Sequence, residues 1–415
     1  MALTWRILVA LVCGLVLGLV LRAAAPASLP VVTEIAEPIG SIWLNGLRMT
    51  VIPLVFGLVI CGIASASDAA AAGAVARRSL ILFAILLTLA GVLSAFATPA
   101  LLTLWPPPSG LPLGGSSEAA QAIPPAGEWV KQIVPSNPIA SAAEGAMLPL
   151  VIFALVFGFA TTRLPAEARN RISGLFDAIV QAMLVIVHWV LLIAPLGVFA
   201  LALVVTARAG AGVVGGLAHY VVTISLLCIA TIVSMYAVIA WFSRVPVGNF
   251  ARAAWPAQAI AFSTQSSLAS LPAMVEGSRR HLKVSEQACD LVLPLAVSLF
   301  RISSPAANLG VALYLANVSG VHPTVFQIAA GVLVAAVVSL ASVGLPSQVS
   351  FFSVVAPVCI VVGAPVAPLA LLLAVETIPD IFRTVGNVTA DVAATALVGA
   401  PATEDAPKKR SSRKS

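Results

Sequence analysis

The sequence predicts an all-α polytopic membrane protein with eight transmembrane helices and two re-entrant helical hairpins. Three observations carry that expectation. Of 415 residues, 60% are hydrophobic and only 9% are charged, with a mean hydropathy of +1.06, more apolar sequence than a soluble core needs. The apolar residues fall in repeated stretches of roughly 20, the length that crosses the hydrocarbon core as a helix. These runs are continuous and rich in Leu, Ala and Val, so the alternation of a membrane β-barrel is absent.

In chain order, a first helix is expected over 5–22. TWRILVALVCGLVLGLVLRAA has the look of a signal peptide, but with many spans following it is read as a retained helix. A second helix covers 39–67 and a third 78–104. The Pro/Gly/Ser-rich stretch LWPPPSGLPLGGSSEAAQAIPPAGE cannot span and reads as a loop. A fourth helix runs over 138–163, a fifth over 172–208 with a break near Pro195, and a sixth over 216–243. Two later apolar segments, 257–277 and 334–363, are interrupted midway by STQSSLASLP (Ser263 to Pro272) and SVGLPSQVS (Ser342 to Ser350). They read as hairpins whose tips lie at membrane depth. Between them, 291–316 breaks at FRISSP (Phe300 to Pro305). Proline removes an N–H and frees a carbonyl, and irregular backbone at membrane depth must line a cavity or be buried in protein. Interrupted segments of this kind point to a transporter's binding site.

Basic residues orient the spans. Arg6, Arg77, Arg78, Arg163, Arg169, Arg171, Arg244, Arg252, Arg279, Arg280, Lys283 and the tail PKKRSSRKS fall on one side; Arg22, Lys131 and Arg208 fall on the other. Eight spans with both termini in the cytosol satisfy the positive-inside rule. The net charge of +6 owes much to that tail, which reads as cytosolic and disordered over 400–415 and gives no cause to invoke nucleic acid. The five cysteines and four histidines are dispersed without metal-ligand spacing. No nucleophile–base set or phosphate loop suggests an enzyme, and no cofactor is expected.

The richest stretch is VETIPDIFRTVGNVTADV, Val375 to Val392. Ionisable groups in lipid cost about 2.5–3.5 kcal/mol each on insertion scales, so they persist where paired, hydrated or functional. Asp380, Arg383, Asn387 and Asp391 follow i, i+3, i+7, i+11, one stripe of a helix. A polar stripe faces protein, a cavity or a ligand. A buried Asp–Arg pair that only holds helices together is the plain alternative, but it needs neither Thr384 nor Asn387.

These motifs together resemble the dicarboxylate/amino acid:cation symporter family, the glutamate-transporter homologues, over nearly the whole chain. RMTVIPLVFGLVICGIAS resembles the family's helix 2. VPSNPIASAAEGAMLPLVIFALVFGFA and LIAPLGVFALA resemble helices 4 and 5. STQSSLASLP resembles the serine-rich first hairpin, LVLPLAV the start of helix 7, GLPS the second hairpin and DIFRTVGNVTAD the helix 8 signature. The resemblance implies inverted repeats, a homotrimer and an elevator mechanism. It assigns scaffold helices 1–2 to 1–77, helix 3 of the transport domain to 78–104, and an extracellular loop to 105–137. Scaffold helices 4–5 then take 138–208 and the rest of the transport domain 216–399. It also implies a plasma (inner) membrane location.

By the same resemblance, Asp380 pairs with a substrate ammonium and Arg383 grips a side-chain carboxylate. Thr384 and Asn387 add substrate contacts, and Asp391 is a cation-site carboxylate where sodium could bind. Ser266, Ser267, Gly344 and Pro346 contribute from the hairpin tips. A guanidinium fits a carboxylate bidentately, and an aspartate supplies the opposite pole for an ammonium. The implied substrate is an acidic amino acid. A C4-dicarboxylate symporter, or a non-transporting receptor or anion-conducting channel on the same scaffold, are the alternatives.

The chain departs from the family at helix 7. Where the family carries NMDGT, this chain has FRISS, Phe300 to Ser304. The Asn becomes Phe300, the Asp becomes Ile302, and the residue between them becomes Arg301. Losing two oxygen donors should weaken a hard-cation site. Arg301 is expected to pair with Asp391 as a tethered cation, making the coupling ion a proton and/or fewer sodium ions, with Glu376 and Asp380 as candidate proton carriers. Gln265 also replaces an arginine common in the first hairpin.

Overall fold

The computed structural model describes residues 3–71, 73–108, 134–341 and 347–399. Among them the chain is helical, with no strand element. The helices are α1 (Leu3–Ala24), α2 (Leu29–Ala71), α3 (Ala74–Leu104), α4 (Pro138–Ala143), α5 (Met147–Thr162), α6 (Ala166–Leu192), α7 (Ala194–Ala209) and α8 (Gly212–Phe242). They continue with α9 (Val247–Thr264), α10 (Ser267–Leu282), α11 (Glu286–Leu299), α12 (Ser303–Val318), α13 (Val325–Ala341), α14 (Ser347–Val362), α15 (Leu369–Leu372) and α16 (Thr377–Val398).

Among the described residues, six helical stretches are long and apolar enough to cross a membrane: Trp5–Ala24, Pro26–Ala71, Ala74–Leu104, Ala166–Leu192, Gly212–Phe242 and Glu286–Val318. Two expected spans fall outside that set for physical reasons. The fourth is cut by the turn at Glu144–Ala146, which leaves α5 with 16 residues. The last, α16, has 22 residues but carries the polar stripe. Several helices run longer than the sequence pattern suggests. α2 has 43 residues and contains Pro38 and Pro53; at 1.5 Å per residue it is about 65 Å long, twice a bilayer core.

Both interrupted segments near the expected FRISSP and STQSSLASLP motifs are broken helices. α9 ends at Gln265, which takes a left-handed conformation with φ of 54°. α10 starts at once with Ser266 accepting the Ala269 amide at 3.2 Å, a side-chain N-cap. The two arms pack antiparallel so closely that a Cβ on Gly277 would sit 2.2 Å from the Ala253 carbonyl oxygen. α13 and α14 pair similarly, but the expected tip of this second hairpin lies outside the described residues.

Packing falls into two groups. α1 packs on α7, and α2 packs on α5, α6 and α7. α16 packs on α8, α9, α10 and α11, while α12 packs on α3, α8, α13 and α14. One buried core joins Phe83, Met235, Phe250, Val292 and Val388 from α3, α8, α9, α11 and α16. The groups meet where α2 packs on α3, α13 and α14. Arg22 at the end of α1 donates to the Arg208 carbonyl at the end of α7, at 2.5 Å. The two arginines that the charge pattern puts on one side are therefore neighbours.

Candidate functional site

α16 is built to hold polar groups away from lipid. Asp380 lies in its first turn, where the exposed amide ends favour a carboxylate. Thr384, Thr389 and Thr395 each donate to the carbonyl four residues back, at 2.9, 2.7 and 2.8 Å, so their hydroxyls are satisfied without water. Gln258 of α9 donates to Thr389 at 2.7 Å and ties the first hairpin to this helix. Further toward the hairpin tip, Phe262 meets Phe382 edge-on, with centroids 6.4 Å apart.

The stripe predicted from spacing is buried throughout: Asp380, Arg383, Thr384, Asn387 and Asp391 are all under 9% exposed, and Asp391 is at 0%. Glu376, one turn before Asp380, is equally buried. Arg383 Nη2 binds Glu376 Oε1 at 2.5 Å. Arg383 Nη1 donates to Asn308 Oδ1 of α12 at 3.3 Å. The second oxygen of Glu376 accepts the Tyr220 hydroxyl of α8 at 2.7 Å. Arg383 Nε and Asn308 Nδ2 are buried donors with no hydrogen-bond partner among the described residues. Buried donors of this kind are costly unless something completes them, and two of them on side chains in contact suit an anionic ligand.

The break in the 286–318 stretch sits against the middle of α16. Phe300 leaves the helix in an extended conformation and stacks on Phe83, centroids 4.5 Å apart. The chain restarts as a helix at Ser303, whose amide donates to the Asn387 side-chain oxygen at 3.0 Å. Gly386 permits this approach: a Cβ there would stand 2.1 Å from the Ser303 hydroxyl. Arg301, between these two anchors, is partly buried. The charges of Asp380, Arg383 and Asp391 act on it, Asp380 most strongly. Sequence reasoning expected Arg301 to pair with Asp391; the charges of both Asp380 and Asp391 act on it. Asp391 feels the Arg301 charge, and neither of its oxygens has a hydrogen-bond partner among the described residues.

The hairpin residues divide. Ser266 and Ser267 flank the α9–α10 break, and Ser266 uses its hydroxyl to cap α10. Among the described residues neither serine hydrogen-bonds to α16. Gly344 and Pro346 lie outside the described residues. Tyr220 and Asn308 were missed from sequence. Tyr220 is one of only three tyrosines and sits in an apolar span; Asn308 is an amide in a helix whose residues Ser303–Ala316 are all buried. That isolation in apolar sequence was the available signal. Among the described residues no group of three or more His, Cys, Asp or Glu is arranged to hold a metal ion.

Comparison with known proteins agrees with this architecture. The model of the sodium:dicarboxylate symporter family matches residues 3–400. The proton/glutamate-aspartate symporter of Escherichia coli (strain K12) is 27% identical over 409 residues, 96% of this chain and 92% of the relative. The proton/sodium-glutamate symport protein of Bacillus subtilis (strain 168) is 26% identical over 379 residues, 89% and 86% of the two chains. That of Bacillus caldotenax is 26% identical over 396 residues, 93% and 91%.

Proposed function

Because this chain belongs to the sodium:dicarboxylate symporter family, and is thus a multi-pass membrane transporter and not an enzyme, we propose that it imports acidic amino acids by symport. The carrying observation is the Arg383 site: a buried guanidinium bonded to Glu376 and Asn308, with its own Nε and the Asn308 Nδ2 left without a hydrogen-bond partner among the described residues. Arg383 takes the side-chain carboxylate of aspartate or glutamate, and Asn308 Nδ2 adds a second donor. Asp380, one turn earlier on the same face, takes the ammonium. The names of the relatives, symporters of glutamate and aspartate, support the same substrate class.

Thr384 and Asn387 add substrate contacts: the Thr384 hydroxyl donates to the Asp380 carbonyl and Asn387 Oδ1 accepts the Ser303 amide, which leaves the Thr384 oxygen as an acceptor and Asn387 Nδ2 as a donor for the substrate. Ser266 and Ser267, with Gly344 and Pro346, supply backbone and hydroxyl contacts to the substrate. The coupling ion is a proton, with sodium reduced or dispensable, because the charge of Arg301 acts on Asp380 and Asp391, where a bound cation would otherwise be needed. The two packing groups support a scaffold of helices 1, 2, 4 and 5 and a mobile unit containing α3, α8 and everything after it. Assembly as a homotrimer in the plasma (inner) membrane, both termini cytosolic, completes the reading.

One observation favours a second substrate class. Two guanidiniums, Arg301 and Arg383, act on the region of Asp380, an arrangement that suits a C4-dicarboxylate if Asp380 is neutral. Uptake into proteoliposomes decides. Labelled L-aspartate should accumulate under a proton gradient without sodium, and succinate should compete weakly. Accumulation only under a sodium gradient would overturn the coupling, and succinate preference would overturn the role of Asp380. Tight binding with no uptake under either gradient would favour a receptor.

A further inference from the structure

Four arginines at one end of the molecule have no counter-charge. Arg77 and Arg78 lie in the first turns of α3, Arg244 follows α8, and Arg252 lies in the second turn of α9. All four are exposed, and none of their side chains makes an ion pair or hydrogen bond with the described residues. The arginines of α10 differ. Arg279 is bonded to Glu286 and Asp290, and Arg280 to Glu276, so these three acids are already paired.

The fold brings the four to the same level. α3 and α8 are joined at one end by His219 Nε2 and the Trp105 carbonyl, 3.0 Å apart. Further along, Phe83 of α3 and Ile239 of α8 share one buried cluster. At 1.5 Å per residue, Arg78 lies about 40 Å from that bond along α3 and Arg244 about 38 Å from it along α8, so both emerge at the far end. α9 folds back beside them: Phe250 meets Tyr236 edge-on, centroids 4.9 Å apart, and Arg252 is two residues on. Trp241, Phe242 and Trp255 stand at this end too, 83%, 76% and 70% exposed, with Trp255 one turn from Arg252. Exposed tryptophans gather at the headgroup level of a bilayer, which sets the neighbouring guanidiniums among lipid phosphates.

We propose that Arg77, Arg78, Arg244 and Arg252, rimmed by Trp241 and Trp255, form a docking surface for the headgroups of anionic phospholipids. A guanidinium matches a phosphate with two parallel hydrogen bonds, and an anionic leaflet attracts basic side chains at its surface. The occupant has to be an anion that lies at membrane level. The chain's own tail, PKKRSSRKS, carries the same sign of charge as the arginines and is repelled. Glu276, Glu286 and Asp290 are held by α10 and do not compete. The surface belongs to the packing group that carries Arg383, so a bound headgroup acts on the part of the protein that handles substrate. It does not depend on which substrate that is.

The test is lipid binding to the purified full chain, read by native mass spectrometry while phosphatidylglycerol or phosphatidylcholine is titrated into the detergent. Wild type should bind phosphatidylglycerol more tightly, and the preference should shrink as salt rises. Each of Arg77→Gln, Arg78→Gln, Arg244→Gln and Arg252→Gln should lower phosphatidylglycerol affinity about fivefold, and the four together should leave no preference. The four changed to Lys, which keep the charge, should retain most of it. Because all four side chains are exposed, the variants should melt as wild type does. Equal binding of the two lipids by wild type, or a preference that survives the four Gln changes, would overturn the proposal. Displacement of phosphatidylglycerol by millimolar inorganic phosphate would also overturn it, by showing a site for the free ion. A measurement on wild type needs no variant: in nanodiscs, phosphatidylglycerol brominated on its chains should quench tryptophan emission more than brominated phosphatidylcholine at the same fraction. Equal quenching would count against the surface.

Discussion

Asn387 and Ser303 join two helices end to side: the Asn387 carboxamide oxygen accepts the Ser303 amide at 3.0 Å. α12 starts inside the protein, where its first amides cannot reach water, and α16 provides the cap. Capping residues are ordinarily local and contribute about 0.5–2 kcal/mol. Asn387→Ala should therefore lower the stability of the substrate-free protein by about that amount, measured as the melting midpoint in detergent. A melting curve indistinguishable from wild type would mean that Asn387 acts on substrate alone.

Gly386, the neighbour of that cap, marks how close the helices come. A methyl group there would collide with the Ser303 hydroxyl. Overpacking of this kind costs about 1–3 kcal/mol, so Gly386→Ala should destabilise. The Ser303 hydroxyl has no hydrogen-bond partner among the described residues, so Ser303→Ala alone should cost little. Combined, Ser303→Ala should restore much of what Gly386→Ala loses. Simple additivity of the two melting shifts would show that the contact is not where the strain arises.

The Glu376–Arg383 pair makes an asymmetric prediction. Removing one partner of a buried ion pair strands the other and costs about 3–5 kcal/mol, while neutralising both can be nearly neutral. Arg383→Met should destabilise strongly and abolish aspartate binding. Arg383→Met with Glu376→Gln should recover stability but not binding. Thermal melting and equilibrium binding read the two effects separately. If the double variant melts as low as Arg383→Met, the pair is not the source of the loss.

The polar stripe was legible because charge in an apolar run is rare and helical spacing is regular. Asp380, Arg383, Thr384, Asn387 and Asp391 all lie buried on α16 as the 3.6-residue period requires. Both helix breaks were legible for a related reason: Pro, Ser and Gln interrupt otherwise apolar sequence at Gln265 and at Phe300–Ile302. What sequence could not supply is which partners arrive from other helices. Tyr220 precedes Glu376 by 156 positions and Asn308 precedes Arg383 by 75, and neither separation has a period. Thr384 was legible as polar, but its hydroxyl serves its own helix, a use that any membrane-buried threonine can take. Span counting failed for α5 and α16 because length and apolarity stop being sufficient where a helix is cut by a turn or carries the site.

Arg301 provides the prediction with the widest consequence. It emerges from a helix break fixed on one side by Phe300 on Phe83 and on the other by Ser303 on Asn387, so the backbone holds it against α16. Its charge acts on Asp380 and Asp391, and among the described residues Asp391 has no hydrogen-bond partner for either oxygen. With the guanidinium in place, an added monovalent cation has little to gain there. Wild type should therefore melt at the same temperature in sodium and in choline chloride of equal strength. Arg301→Gln removes the positive charge, leaves oxygen donors near Asp391, and should melt lower in choline. Sodium should then raise its melting point, because a ligand at a hundredfold excess over its Kd stabilises by about 2.7 kcal/mol. Sodium stabilisation of wild type equal to that of the variant would place the cation elsewhere and leave Arg301 with a purely structural role.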